Sequence, residues 1–520
     1  MTLVFVAIVA THLDAIPFWD ARNYLHCVED AVTKRFNLFN FRCFGHPSIV
    51  YALLWGLTQY VRPWTPASMY IVNAVVGAAS IVAFDGLLRR LFPDGHDVEY
   101  SLLTALYALA PLFVSHAIFL NLDYGATALF VIFLYFLLAR RYWLASVFGV
   151  AASFTKEIAA AACAVAIVAD VVAFELRPGT SWPQRAAALR SYGPLLVIPC
   201  AVGAYALLGA VFRSEWSWSD SFAPGPLVTN RTDAIWNTNL ADPTIRSFLA
   251  DIFVLNFQWL YSIAILVALC AALIRVAPSA GAPNDLRRRH VFLALSLAGL
   301  VYLVTRFRPN NNARYVLLAS PILILAFYDA LGRLSARAAN RLIYLSVCAV
   351  LVVLSNFRSL DFVSRSVFGT FPFGSHALVD TTSLIGGLKL DAIVYNLEFL
   401  QLQYLYADMI RDVRPRYGSV LLMGNAIYNF PPDVDGRDYT LTSNPTRAVP
   451  FFVAIGDVKR DAIASHVRTE GELFYYVAFA NADNVQLREL LKKYALVGSK
   501  TYSRYGYTLD VHTFRWSFTS

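Results

Sequence analysis

Long apolar runs are the feature of this sequence that most constrains its fold. A helix needs about 20 mainly apolar residues to cross the hydrocarbon core of a bilayer, and somewhat fewer where its flanking residues snorkel. Only 15% of the 520 residues are charged and 58% are hydrophobic, so the bilayer is the expected solvent for most of the chain. We predict an α-helical polytopic membrane protein with about 11 spans. The predicted spans are residues 1–17, 68–90, 100–120, 124–139, 142–155, 157–174, 192–213, 252–274, 290–305, 312–330 and 340–357.

The loops between these runs alternate between rich and poor in arginine. The basic loops contain Arg89 and Arg90, then Arg140 and Arg141, then Arg177, Arg185 and Arg190, then Arg275 and Arg287 to Arg289, then Arg333, Arg337 and Arg341. The positive-inside bias places such loops in the cytoplasm. It therefore predicts a multi-pass protein of the cell membrane with a cytoplasmic N-terminus, and with everything after residue 358 outside the cell. The net charge of +8 comes from these short clusters between apolar runs rather than from one basic face or tail. This distribution argues against a nucleic-acid partner.

The apolar start of the chain lacks a basic n-region and a small-residue cleavage site. We therefore expect it to be retained as the first span. A second ambiguous segment, Pro47–Val61, is apolar enough to count as a span, but counting it would put Arg89 and Arg90 outside and invert every later loop. We predict that it is a helix in the outer interface, a level that suits its Trp55 and Tyr60.

The composition changes after Arg358. The remaining residues have polar turns and alternating strands and contain no run long enough to span. Strands are predicted at 420–423, 451–455, 474–479 and 507–513, and a helix at 484–494. We predict a transmembrane domain over 1–358 and an extracytoplasmic soluble α/β domain over 359–520.

Two carboxylates of the predicted outer face are candidates for catalysis, because ionisable groups at a membrane boundary are costly to bury. Asp20 begins the segment FWDARNYLHCVEDAV, whose apolar residues, Tyr24 and Val28 among them, have helical spacing and predict a second interfacial helix. Asp123 lies at a tight turn between two apolar runs. Either residue could simply cap its helix. Alternatively, the two could act as bases toward an acceptor hydroxyl or amine, or together hold a divalent cation.

Cations accompany these carboxylates on the same predicted side. Lys156 in SFTKEIA and Arg314 in NNNARYVLLASP lie at outward helix ends, and Arg306 and Arg308 occupy the turn before Arg314. Such cations often only snorkel to the interface. They could also bind a phosphate and stabilise the charge of a phosphate leaving group, with Glu157 orienting Lys156. None of the cysteines forms a CxxC pair, so a thiolate metal site has no support.

The order of these motifs resembles the GT-C superfamily of membrane glycosyltransferases, especially the branch of protein O-mannosyltransferases and lipid A aminoarabinose transferases. The resemblance covers roughly residues 10 to 330. The matching elements are WDARNY with Asp20 and Tyr24, His46-Pro47-Ser48 through Tyr51, Asp123 near the outer end of a span, Thr155-Lys156, and Arg314-Tyr315 with Pro321. The WDA form has Ala21 where many relatives have a second acidic residue.

This resemblance implies a polyprenyl-phosphate sugar donor, an extracytoplasmic acceptor and a site on the outer face. It implies that Asp20 is the catalytic base and that Lys156 and Arg314 bind the donor phosphate, with Tyr24, His46 and Tyr315 in support. Because of Ala21, we expect a transferase that is independent of metal or only weakly assisted by a divalent cation. No other cofactor is implied.

Two other classes remain open at this stage. A transporter or flippase of lipid-linked saccharides would make no bond, but transporters place polar binding groups near the midplane, and the predicted spans are nearly free of charge there. A membrane-anchored assembly or receptor protein would use the domain after residue 358 for sensing. It would not need carboxylates clustered on the outer face.

Overall fold

A computed structural model shows the arrangement of the apolar helices and of a small C-terminal sheet. It describes residues 1–13, 48–61, 66–118, 120–175, 181–211, 249–274, 284–306, 313–356, 420–423, 452–455, 471–479, 485–504 and 507–517, with the single positions 24, 28, 363, 405, 408, 409 and 412. The helices are α1 (Thr2–Ala10), α2 (Ile49–Val61), α3 (Pro66–Leu91), α4 (Asp97–Ala108), α5 (Pro111–Ile118), α6 (Leu122–Leu138), α7 (Tyr142–Ser153), α8 (Ile158–Asp170), α9 (Trp182–Ser191), α10 (Val197–Val211), α11 (Gln258–Ile274), α12 (Asn284–Arg306), α13 (Ser320–Leu334), α14 (Ala338–Ser355) and α15 (Val485–Lys493).

Each predicted span coincides with at least part of a helix. Among the described residues, four helices are long and apolar enough to cross a membrane, and up to six spans result if each bent pair counts as one. The bent pairs are α4 with α5, at 50°, and α9 with the helical stretch that follows it, at 54°. Several other helices, such as α6 and α7, are apolar but shorter. The chain thus has a polytopic membrane fold, while the count of 11 spans stays a prediction.

Exposed apolar stripes support a lipid-facing surface. On α14, Ile343, Val347, Val350 and Leu354 recur at helical spacing and are 43% to 65% exposed. Water-soluble proteins rarely expose apolar patches of this kind, whereas in a bilayer such residues contact acyl chains. The exposed face of α14 is therefore suited to contact with lipid.

Helix α6 forms the centre of the bundle. All of its 17 residues except Tyr135 and Phe136 are buried, and it packs against α3, α7 and α8. A helix that is apolar all round belongs inside a protein rather than at its surface. A 3-10 segment, Ala313–Leu318, also packs against α6. Because of these contacts, residues from distant parts of the chain meet at the first turn of α6.

The predicted interfacial helices are partly within the described residues. Helix α2 confirms a helix in the segment Pro47–Val61, and it packs against α3. Its placement at the outer interface stays a prediction. Of the segment around Asp20, only Tyr24 and Val28 are described, and both are helical and buried.

The C-terminal sheet has five strands in the order β2-β1-β3-β5-β4. They are β1 (Val420–Met423), β2 (Phe452–Ile455), β3 (Leu473–Phe479), β4 (Ala495–Arg504) and β5 (Tyr507–Arg515). Strand β1 is parallel to β2 and β3, and β5 is antiparallel to β3 and β4. With α15, this confirms the predicted α/β content.

Strand β4 is absent from the sequence prediction, which needs correction here. Among the described strands it lies at the edge of the sheet and pairs only with β5, and most of its residues are exposed. Because residues on both faces of β4 are exposed, no buried face imposes alternating hydrophobicity, and the register is interrupted between Leu496 and Gly498. Its sequence ALVGSKTYSR therefore lacks the pattern that identifies the other strands.

Candidate functional site

Asp123 lies in the first turn of α6, and the local structure fixes its backbone. Asn121 caps the helix by accepting a hydrogen bond from the Asp123 amide at 3.0 Å. The Thr127 hydroxyl donates to the Asp123 carbonyl at 2.8 Å. Just before the cap, Leu120 has a left-handed backbone with φ of 49°. The turn that delivers Asp123 is thus tight and buried.

Two cations flank the Asp123 carboxylate. Lys156 lies in the turn between α7 and α8, and its Nζ is 2.5 Å from Asp123 Oδ1. Arg314, from the 3-10 segment, places its Nε 3.5 Å from Asp123 Oδ2. The Asp123 and Lys156 side chains are 4% and 3% exposed, so this pair is almost fully removed from solvent. Three residues that are distant in sequence thereby form one buried ionic cluster.

Tyr315 completes this cluster with its aromatic ring. Lys156 Nζ lies 4.7 Å from the ring centroid, and the Arg314 guanidinium carbon lies 5.2 Å from it. Arg314 also donates to the Tyr315 hydroxyl at 3.3 Å. A cation held over a ring face is attracted by the negative quadrupole of that face. We call Asp123, Lys156, Arg314 and Tyr315 the Asp123 cluster.

The Asp123 cluster has an excess of positive charge. One carboxylate faces two cations, so the three ionised groups sum to one positive charge. Electrostatic attraction is strong in a buried site because little water screens it. The arrangement can bind an anion, and a phosphate matches both the point charge of lysine and the fork of arginine.

The other predicted site residues are only partly described. Asp20, His46 and Arg308 lie outside the described residues, and Arg306 ends α12 without a described side chain. Glu157 is half-buried beside Lys156 at the start of α8, and Tyr24 is buried. The structure therefore brings Asp123, Lys156, Arg314 and Tyr315 together and leaves the other predicted roles as predictions.

Sequence reasoning missed two buried polar residues near the Asp123 cluster. His116, on α5, binds the Leu112 carbonyl through Nδ1 at 2.8 Å and interacts electrostatically with all three charged groups of the cluster. Asn73, on α3, donates through its side chain to the Ala117 carbonyl, and its backbone carbonyl accepts from the Tyr124 hydroxyl. Both stand inside apolar runs, where an intramembrane polar residue is the signal that could have identified them.

A divalent cation does not fit beside Asp123 in this arrangement. Both of its oxygens face cations, whose charge opposes the binding of a metal ion. The described part of the chain contains no group of three or more His, Cys, Asp or Glu side chains that could hold a metal. The predicted pairing of Asp123 with Asp20 lies outside the described residues.

The fold is similar to that of solved membrane glycosyltransferases. ArnT from Cupriavidus metallidurans bound to undecaprenyl phosphate matches with a TM-score of 0.52 and 14% identity, over 98% of this chain and 96% of that one. ArnT in the apo state gives 0.49 and 13%, over 98% and 97%. The mycobacterial arabinofuranosyltransferase AftD gives 0.39 and 16%, over 81% and 29%.

The likeness to ArnT bound to undecaprenyl phosphate shows the fold, and at that level the resemblance predicted from the sequence is confirmed. The particular structure that carries the comparison is ArnT with bound undecaprenyl phosphate, which aligns along almost its whole length. No family model and no curated protein sequence matches this chain.

Proposed function

We propose that this protein is a glycosyltransferase that moves a sugar, a hexose or a pentose, from a polyprenyl-phosphate donor to an acceptor on the outer face of the membrane. The observation that carries the proposal is the buried Asp123 cluster, in which one carboxylate positions two cations for an anionic ligand. The ArnT fold supports it, because that protein has been solved with undecaprenyl phosphate bound.

In this proposal Lys156 and Arg314 bind the donor phosphate. Asp123 holds their side chains in place before the donor arrives, and the Tyr315 ring contacts both cations. Preorganised charge of this kind acts mainly on the transition state, in which the negative charge of the departing phosphate grows. Arg306 and Arg308 are further candidates for binding the donor phosphate.

Asp20 completes the chemistry as the general base. The bond between the anomeric carbon and the phosphate oxygen breaks, and polyprenyl phosphate leaves with the electron pair. The acceptor oxygen or nitrogen forms the new bond to the anomeric carbon, and its proton moves to the Asp20 carboxylate. Tyr24, His46 and Glu157 support this site.

The membrane arrangement belongs to the same proposal. Eleven spans place the N-terminus in the cytoplasm and the turn before Asp123, the loop 214–251 and residues 359–520 outside. The donor tail then lies in the bilayer while its phosphate meets the cations at the outer boundary. The long loop and the C-terminal domain shape the acceptor site.

The test is donor turnover by the protein purified in detergent. A panel of radiolabelled polyprenyl-phosphate sugars is supplied with candidate acceptors, with and without divalent cations, and the release of polyprenyl phosphate is followed. We expect turnover by the wild type and its loss in Asp20→Asn. Asp94→Asn, which changes an exposed carboxylate beyond α3, is the matched control and retains turnover. A wild type that binds donor but never cleaves it refutes the transferase and favours transport.

A further inference from the structure

Asn73 makes one hydrogen bond through its side chain and one through its backbone carbonyl to residues on either side of the turn that carries Asp123. Its side chain is fully buried on α3. Asn73 Nδ2 donates to the Ala117 carbonyl at 2.6 Å, before the turn, and the Tyr124 hydroxyl donates to the Asn73 carbonyl at 2.7 Å, after it. Asp123 is the residue next to Tyr124. One residue of α3 therefore connects the end of α5 to the start of α6.

The turn between these two contacts is one that needs support. Leu120 is completely buried and has a φ of 49°. The left-handed region costs an ordinary L-residue roughly 1–2 kcal/mol, so it persists only where surrounding contacts impose it. The Asn73 amide holds the Ala117 carbonyl before Leu120, and the Asn73 backbone carbonyl holds the Tyr124 side chain after it, so these two anchors can impose the Leu120 conformation.

The amide of Asn73 is itself fixed in one orientation. The Tyr51 hydroxyl and Trp55 Nε1, both from α2, donate to Asn73 Oδ1, the second at 3.4 Å. A flipped amide would present its NH₂ group to two donors and its oxygen to the Ala117 carbonyl, leaving buried polar groups without partners. The contacts from α2 therefore determine the orientation that reaches Ala117.

We propose that Asn73 is a positioning residue for the Asp123 cluster, acting through the Ala117 carbonyl and the Tyr124 hydroxyl. Holding this turn fixes where the Asp123 carboxylate stands, and the carboxylate in turn fixes Lys156 and Arg314. The predicted effect of Asn73 on catalysis rests on the proposed transferase function. Its predicted effect on the position of Lys156 is independent of that function.

Two variants weaken the hydrogen bonds of Asn73 with little change in shape. Asn73→Asp keeps the acceptors for Tyr51 and Trp55 but, at neutral pH, turns an oxygen toward the Ala117 carbonyl in place of the donor. Tyr124→Phe removes only the hydroxyl that binds the Asn73 carbonyl. The matched control is Ser80→Ala, which removes another buried hydrogen bond of α3, that between Ser80 and Tyr107 at 2.8 Å, about two turns from Asn73.

The first measurement needs no substrate. Each detergent-purified variant that elutes as a monodisperse species is treated with acetic anhydride, and acetylation of Lys156 is followed by mass spectrometry. We expect Lys156 to be protected in the wild type and in Ser80→Ala, and to react several-fold faster in Asn73→Asp and Tyr124→Phe. Equal protection in all four proteins would overturn the proposal. A wild type without donor turnover would refute the proposed function and leave this result standing.

The second measurement is a double-mutant cycle on donor turnover. A misplacement of about 1 Å can cost on the order of 100-fold in rate, so we expect a loss approaching that size in Asn73→Asp and none in Ser80→Ala. If Asn73 acts through Asp123, combining Asn73→Asp with Asp123→Asn lowers the rate little below that of Asp123→Asn alone. Multiplicative losses would mean that Asn73 acts independently of Asp123, and the positioning role would be wrong.

Discussion

Two of the buried carboxylates among the described residues, those of Asp123 and Glu99, have very different surroundings. Asp123 begins α6, whereas Glu99 begins α4, and the bent pair α4 and α5 separates them. Glu99 Oε1 accepts from Arg341 Nε at 2.8 Å, while Oε2 accepts from the Tyr328 hydroxyl at 2.5 Å and the His96 amide at 3.2 Å. We call Glu99, Tyr328, Arg341 and the His96 amide the Glu99 cluster.

The two clusters differ in their net charge and in whether both carboxylate oxygens accept hydrogen bonds. The Glu99 cluster pairs one carboxylate with one arginine, and hydrogen bonds satisfy both of its oxygens. The Asp123 cluster places one carboxylate against two cations, and Asp123 Oδ2 has no hydrogen-bond partner among the described residues. A neutral, saturated cluster holds helices together, whereas a cluster with excess positive charge retains the capacity to bind an anion.

The largest expected effect comes from removing a cation from the Asp123 cluster. Lys156→Met keeps the length of the side chain and removes its charge, so we expect donor turnover to fall by about 100-fold or more, the size found when a preorganised transition-state donor is lost. The measurement is the initial rate of polyprenyl-phosphate release at saturating donor.

Arg341→Met is the matched control in the Glu99 cluster. It removes a largely buried cation and leaves the Glu99 carboxylate without its charge partner, so we expect it to lower the melting temperature and to leave the rate per folded molecule unchanged. Equal losses of turnover in both variants would mean that the two clusters do not differ in function.

The second comparison asks whether a ligand restores the stability lost when each of the two carboxylates is neutralised. Glu99→Gln leaves Arg341 buried without its charge partner, and we expect a loss of about 3 kcal/mol in the free energy of unfolding. Asp123→Asn should destabilise by a similar amount. Here, however, polyprenyl phosphate can supply the missing negative charge between Lys156 and Arg314, and a ligand that binds only the folded state raises its stability.

The measurement is the melting temperature of both variants with increasing polyprenyl phosphate in detergent, with polyprenol as the uncharged control lipid. We expect the phosphate to raise the melting temperature of Asp123→Asn more than that of Glu99→Gln. The same shift with polyprenol would show that the tail alone binds.

A smaller loss of stability is expected from substitutions at two glycines. Gly77 lies against Tyr124, which adjoins the Asp123 cluster, and Gly95 lies against Tyr328 of the Glu99 cluster. A Cβ at Gly77 would clash with the Tyr124 hydroxyl, and a Cβ at Gly95 would lie 2.7 Å from the Tyr328 hydroxyl. Overpacking of this kind costs about 1–3 kcal/mol. We expect Gly77→Ala to lower both the melting temperature and donor turnover, and Gly95→Ala to lower the melting temperature alone.

Gly332→Ala provides the control for these two glycines, because open space surrounds that position and no contact changes. Turnover that falls equally in Gly77→Ala and Gly95→Ala would show that the region around Glu99 also affects the site.

The sequence predicted the parts of this architecture that follow from local patterns. Apolar length located the helices, and the positions of Asp123, Lys156 and Arg314 at helix ends on one predicted side anticipated their meeting. It could not predict that the carboxylate pairs with both cations, because that depends on how α6, α7 and the 3-10 segment pack. The position of Asn73 in an apolar run could have marked it as a polar residue of interest, but its partners, and so its role, depend on how α2, α3 and α5 pack.

The smallest effect is expected at an exposed ion pair, which tests whether burial is what separates the two clusters from ordinary salt bridges. Arg89, at the end of α3, binds Asp85 at 2.7 Å and Asp97 at 2.6 Å, but its side chain is 49% exposed. Water and salt screen such pairs, and holding long side chains in one geometry offsets the attraction. We expect Arg89→Ala to leave both donor turnover and the melting temperature of the detergent-purified protein within experimental error of the wild type, at low and at high salt. A fall in melting temperature comparable to that of Arg341→Met would mean that the number of contacts, rather than removal from water, determines how much an ion pair contributes in this protein.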